Sequence, residues 1–191
     1  MASYSYILKF IVVGDAKVGK SSIISQLINH TFKNNYDLTI GAGFDTYIAS
    51  INDKLLKIHI WDIAGNENFR SITRSYYRGS ICALIVYDIT NRDSFTNIST
   101  WLREIRDYGN NHIVILLVGN KSDQFENRVV SMEEGIYFAL QNNIFFIETS
   151  AKANTNIDQA FMTVISHIYE NIERGKYDLN NQLCGIKIIN N

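Results

Sequence analysis

Four stretches of the chain are almost continuously apolar: YILKFIVV (6–13), ICALIVY (81–87), IVILLVG (113–119) and IFFIET (144–149). Unbroken runs of Val, Ile, Leu and aromatics are the pattern of strands buried on both faces of a parallel sheet. The segments between them switch to helical spacing. Within 94–108, Phe95, Ile98, Leu102, Ile105 and Tyr108 recur three or four positions apart. Within 157–172, Ile157, Phe161, Val164, Ile165, Ile168 and Ile172 do the same. Each set forms one apolar stripe along a helix, and such stripes are core packing rather than sites. Two further runs, at about 44–51 and 54–62, flank the letters NDK, an Asx-centred link that predicts a hairpin. The order is strand, helix, hairpin, helix, then alternating strands and helices. It predicts one three-layer α/β domain over 1–174. The sheet should have six strands, mostly parallel with one antiparallel edge strand, and about five helices should cover it. After Arg174 the periodicity is lost in GKYDLNNQLCGIKIINN, so 175–191 is expected to be a flexible tail.

Composition narrows this picture without changing it. The 191 residues suit one domain with a full core, and 46% hydrophobic against 19% charged content is that of a globular chain. A net charge of −1 gives no basis for a nucleic-acid partner. No apolar stretch reaches the ~18 residues of a membrane span. The opening MASYSYILKF has neither the charged region nor the long apolar region of a signal peptide. The two cysteines have no metal-binding spacing, and Cys82, inside an apolar run, reads as a buried core thiol in a reducing compartment. There is no proline, so turns must rest on Gly, Asn and Asp.

Candidate chemistry sits immediately after the expected strands. GDAKVGKS, Gly14 to Ser21, fits the spacing G-x-x-x-x-G-K-[ST] and follows the first apolar run. In such a loop, glycines let successive N–H groups converge on phosphate oxygens, which makes Asp15, Ala16, Lys17, Val18 and Gly19 candidate phosphate contacts. Lys20 brings a point charge to the β- and γ-phosphates. The Ser21 hydroxyl is a candidate Mg²⁺ ligand, and with Ser22 it begins a helix whose N-terminus favours an anion. WDIAG (61–65) follows the next strand, where Asp62 can hold Mg²⁺ through water and Gly65 can offer its N–H to a γ-phosphate. NKSD (120–123) and SAK (150–152) follow the later strands. Asp123 can accept two N–H bonds from a guanine edge, and Ser150, Ala151 and Lys152 can meet the base oxygen. Each short motif is weak alone. Four in order, each at the C-terminal end of an expected strand, form a site where open α/β sheets bind ligands.

These residues resemble the small GTPases and, among them, the Rab family. KIHIWDIAGNENFRSITRSYYRGS, ALIVYDIT and LTIGAGF are similar to Rab segments, and SITRSYYRG and NKSD look most like the Rab-two subfamily. The likeness covers about 5–174. It implies GTP and GDP as ligands with Mg²⁺, and hydrolysis of GTP to GDP and phosphate. It implies that Thr39 ligates Mg²⁺ and reaches the γ-phosphate, that Phe32 stacks on guanine, and that Tyr36, Asn120 and Lys121 complete the nucleotide contacts. Phe44, Trp61 and Tyr76 fall where Rabs carry the aromatic triad that effectors read. The expected partners are effectors, an exchange factor and a GTPase-activating protein, met as a monomer. The expected place is the cytoplasm, peripheral on vesicle, endoplasmic-reticulum or Golgi membranes.

The departures matter as much. The family has Gln where this chain has Asn66, and that amide orients the attacking water. Asn is one methylene shorter, about 1.5 Å of reach, and a misplacement of about 1 Å can cost ~100-fold in rate. Slow hydrolysis is therefore expected, with a hydrolysis-deficient adaptor that recruits effectors as the alternative; a partner that supplies the missing positioning also remains open. A P-loop ATPase or kinase is disfavoured by NKSD. Ala16 stands where Ser or Thr is usual and Lys17 where Gly is usual; a side chain at 17 costs little where φ is negative. Ile63 replaces a common Thr, and Gly43 replaces a common acidic residue and leaves the identity of the effector open. The ending GIKIINN offers neither a C-a-a-X box nor a terminal cysteine pair, Cys184 lies seven residues before the last, and no lipid anchor is legible.

Overall fold

The computed structural model describes residues 4–33, 39–66, 70–181 and 183–189. Its elements are β1 (Tyr4–Val13), α1 (Lys20–Asn29), β2 (Ala42–Ile51), β3 (Lys54–Ile63), α2 (Arg70–Tyr77), β4 (Cys82–Asp88), α3 (Arg92–Thr96), α4 (Ile98–Tyr108), β5 (Val114–Asn120), α5 (Met132–Asn142), β6 (Phe145–Glu148), α6 (Ile157–Glu173) and β7 (Ile186–Ile188). A 3₁₀ turn spans Ser122–Asn127. The strand order is β2-β3-β1-β4-β5-β6, with β3, β1, β4, β5 and β6 parallel and β2 antiparallel at the edge. This is the α/β architecture expected from the apolar runs.

Alternation along β1 explains the layers. Leu8, Phe10 and Val12 face a core shared with α1 and α6, through Ile23, Leu27, Phe161 and Ile165. Ile11 and Val13 face the opposite core, shared with α2, α4 and α5 through Tyr77, Trp101, Ile105 and Ala139. Successive strand residues point to opposite faces, so a run apolar at every position is what a sheet covered twice requires. The β2–β3 link is Asn52-Asp53, both left-handed at φ 49° and 61°, the two-residue turn that matches strand twist.

Two expectations need amendment. The stripe over 94–108 is carried by two helices, α3 and α4, that meet at Asn97 (φ −72°, ψ −11°). The Asn91 side chain accepts the N–H groups of Asp93 and Ser94 and starts α3 upstream of the stripe. The second amendment concerns the segment expected to be a flexible tail. Tyr177, Cys184 and Ile186 are buried in the core beside α6. β7 adds a seventh strand, antiparallel to β1 with Tyr6, Ile7 and Leu8 opposite Ile188, Lys187 and Ile186. Because β4 meets β1 only from Phe10 onward, the first half of that edge of β1 is left open, and β7 occupies it. The Lys9 N–H donates to the Gly185 carbonyl at 2.9 Å, and the Asn110 Nδ2 donates to the carbonyls of Leu183 (3.2 Å) and Cys184 (3.0 Å).

Candidate nucleotide and magnesium site

The four motifs converge at one end of the sheet because β1, β3, β5 and β6 are parallel and each ends in one of them. Gly14–Gly19 turns from β1 into α1, whose N-terminus begins at Lys20. Gly19 is at φ +100°, and a Cβ there would meet Asn120 Nδ2 at 2.3 Å, so only glycine fits. Lys20 is buried, and its Nζ donates to the carbonyls of Gly14 (2.9 Å) and Asp15 (2.8 Å), which curls the loop around its ammonium. Burial holds the Lys20 pKa down to about 8, against the opposing pull of Asp62 and Asp15. An anion bound in the loop would add counter-charge beside the buried Lys20.

Lys17 corrects one expectation. Its backbone is left-handed, φ +67°, so the side chain sits in a conformation that L residues adopt at a cost. That turn makes the loop concave toward its own N–H groups, the geometry of an anion nest. The side chains of Lys17 and Ala16 are exposed, whereas Val18 is buried and anchors the loop. The Asp15 carboxylate accepts Asn97 Nδ2 at 2.7 Å and Trp101 Nε1 at 2.8 Å, which leaves its backbone N–H as the candidate phosphate contact.

Three oxygen-bearing side chains meet beside Lys20. The Ser21 hydroxyl donates to Asp62 Oδ2, Thr39 Oγ1 lies 3.2 Å from Ser21 Oγ, and Thr39 donates to the same Asp62 oxygen at 3.4 Å. Asp62 Oδ1 is buried with no hydrogen-bond partner among the described residues. Burial raises the Asp62 pKa, and its hydrogen bonds from Ser21 and Thr39 and the charge of Lys20 oppose that rise. An orphaned buried carboxylate oxygen among hydroxyls is a hard, all-oxygen donor set, and it fits Mg²⁺. Bound there, the cation would neutralise phosphate charge. Gly65 packs against the phosphate loop so closely that a Cβ would lie 2.4 Å from Ala16 N and from Asp15 C. Any side chain at 65 would push the loop out of place. Asn66 follows, exposed.

At the far side, Asn120 ties three segments together. Its Nδ2 donates to the Val18 carbonyl at 2.9 Å, and its Oδ1 accepts Thr149 Oγ1 (3.1 Å) and Ala151 N–H (3.4 Å). Lys121, left-handed at φ +69°, pairs with Asp88 at 2.6 Å. The Ser150 hydroxyl donates to Asp123 Oδ1 at 2.5 Å and accepts the Ala153 N–H at 2.9 Å, which aims Asp123 across the loop. Ser22 and Ala151 are buried; Lys152 and Phe32 are exposed. Tyr36 lies outside the described residues.

This geometry agrees with the comparison to known families: residues 9–170 match the model of the Ras family. The chain belongs to the Ras family. Ras-family proteins are small GTPases, in general GTP-dependent switches that bind GTP or GDP with Mg²⁺ and meet exchange factors, activating proteins and effectors. The match starts within β1 and ends within α6, so β7 lies outside it.

The three aromatics expected to form one surface are adjacent in this Ras-family protein. Phe44 on β2 is directly opposite Trp61 on β3, with ring centroids 4.9 Å apart, and Trp61 is 4.8 Å from Tyr76 on α2. Phe44 remains half exposed. Sequence reasoning missed Asn97, Trp101, Asp88 and Thr149. Trp101 left one readable signal, since a buried indole N–H needs an acceptor and the apolar stripe does not supply one.

Proposed function

We propose that this Ras-family protein is a Rab-like switch in vesicle-mediated transport, acting between endoplasmic reticulum and Golgi, whose GTP state is long-lived. The observation that carries the reading is the Phe44–Trp61–Tyr76 stack. It joins β2, β3 and α2, the elements that flank Thr39 and Gly65, so contacts to a γ-phosphate and the shape of the aromatic patch belong to one connected unit. The long lifetime rests on Asn66. With the phosphate loop, Lys20 and the Ser21–Thr39–Asp62 oxygens in place, nucleotide binding keeps its whole apparatus. Only the side chain that would orient the attacking water is short.

A second reading, an adaptor that binds GTP and scarcely turns it over, is favoured by the same residue. Nucleotide extracted from the purified protein distinguishes them. The switch reading expects both GTP and GDP in the extract; GTP alone supports the adaptor, and absence of guanine nucleotide defeats both. For the trafficking role, the tagged protein should lie on endoplasmic-reticulum or Golgi membranes, and a Trp61→Ala variant should lose effector recruitment while still binding nucleotide. A diffuse distribution of the unmodified protein would count against that role.

A further inference from the structure

Asp15 is the first residue of the phosphate loop after Gly14, and a carboxylate there is a liability in a site built for phosphates. The structure turns it away from them. Each of its oxygens accepts one neutral donor from across the fold: Oδ2 takes Asn97 Nδ2 at 2.7 Å and Oδ1 takes Trp101 Nε1 at 2.8 Å. The two donors are four residues apart, one helical turn, at the junction of α3 with α4. Trp101 is only 1% exposed, so its ring is locked by packing and its N–H points in one direction. The helix that carries it is braced further along. The buried Glu104 accepts the Tyr77 hydroxyl at 3.3 Å and lies 3.7 Å from the Arg74 guanidinium, both on α2. The backbone carbonyl of Asp15 meanwhile accepts Lys20 Nζ at 2.8 Å. The same residue is thus held at its side chain by α4 and at its backbone by the phosphate-binding lysine.

We propose that Asn97 and Trp101 are positioning residues for the phosphate loop and set, through Asp15, how long the protein retains its nucleotide. The proposal rests on the guanine-nucleotide reading of the site. With the clamp closed, the loop N–H groups are pre-aligned and the Asp15 charge faces away from the phosphates. With the clamp open, the loop must be ordered at the expense of binding, and the carboxylate is free to turn toward like charge. Asn97 and Trp101 act on the loop through Asp15.

The test is dissociation of a fluorescent GDP from the full chain in excess Mg²⁺ and unlabelled GDP. Asp15→Asn keeps the volume but turns an NH₂ group toward a donor; it should speed release about ten-fold, the scale of one charge-assisted hydrogen bond. Trp101→Phe keeps an aromatic ring and removes the N–H, and Asn97→Ala, at a half-buried position, gives a second probe should Trp101→Phe fail to fold. The decisive readout is coupling: Asp15→Asn combined with Trp101→Phe should release GDP no faster than Asp15→Asn alone, because both open one clamp. Ile105→Val, a buried packing change on the same helix, should lower thermal stability and leave release unchanged. Release within about two-fold of the parent for Asp15→Asn, multiplied effects in the double variant, or equal acceleration by Ile105→Val would each overturn the clamp. A parent chain that retains no labelled GDP would overturn the nucleotide reading and the clamp with it. A parent that retains GDP beside variants that do not differ from it overturns the clamp alone.

Discussion

Lys17 and Asn66 both depart from the residues expected of such a site, and the two departures differ in kind. At Lys17 the cost is conformational: a left-handed backbone penalises any Cβ, and the loop keeps that conformation because its N–H groups must converge. Replacement by glycine should stabilise the fold by about 1 kcal/mol, the penalty removed less the added freedom of the unfolded chain. Denaturant titration of Lys17→Gly checks this, and a variant less stable than the parent would show that the lysine side chain makes a compensating contact. At Asn66 the cost we propose is kinetic: a shorter amide would leave folding and binding intact and withhold a group needed only while the γ-phosphoryl leaves. The sequence displayed both substitutions plainly. The sign of φ at Lys17 was not legible, because a lysine argues against the conformation that the loop imposes.

At the scale of elements, the long helices and central strands could be read from spacing, since α6 and β4 bury their residues in the pattern their sequences announce. β7 could not. It is three residues long, only Ile186 of the three is buried, and its partner is the open half of an edge some 180 positions earlier in the chain. Pairing of that kind leaves no local period. Ile186→Ala should cost about 2 kcal/mol, the lower end for a buried isoleucine, measured by chemical denaturation. A change below about 0.5 kcal/mol, the value for exposed residues, would return the segment to the status of a loose tail. α5 carries a different kind of anchor. Ser131 and Glu134 form a reciprocal capping box, and Glu134 also pairs with Arg92 at 2.6 Å. The hydrogen bond from Arg92, and then that from the Ser131 backbone, hold the Glu134 pKa down to about 2 from an ordinary 4.5. A depressed carboxylate pKa contributes stability that is complete above the ordinary value and is lost as pH falls toward the folded one. The gap in melting temperature between the parent and Glu134→Gln, with the parent higher at pH 7, should therefore narrow between about pH 4.5 and about pH 2. A constant gap across that range would contradict the assignment.

On the scale of the whole molecule, parallel topology does the assembling. Four loops distant in sequence meet because their strands end on one side of the sheet, and that is why the order of the motifs along the chain is informative by itself. The links that hold the loops to one another are the part that sequence concealed: Asp15 to Asn97 and Trp101, Asn120 to Val18 and Thr149, Lys121 to Asp88. Asp15 and Val18 are wildcard positions of the first motif, and Asn97, Trp101, Asp88 and Thr149 lie outside the motifs, where composition and spacing carry no information. Together these links hold the loops of a Ras-family protein in one site, and the proposal set on that site is that Asn66 slows hydrolysis of the bound nucleotide. Single-turnover hydrolysis of bound GTP, followed in the parent and in Asn66→Gln without any partner protein, tests that account most directly. The account predicts that Asn66→Gln is faster by about 100-fold, the effect of a displacement on the order of 1 Å; equal rates in the two proteins would contradict it.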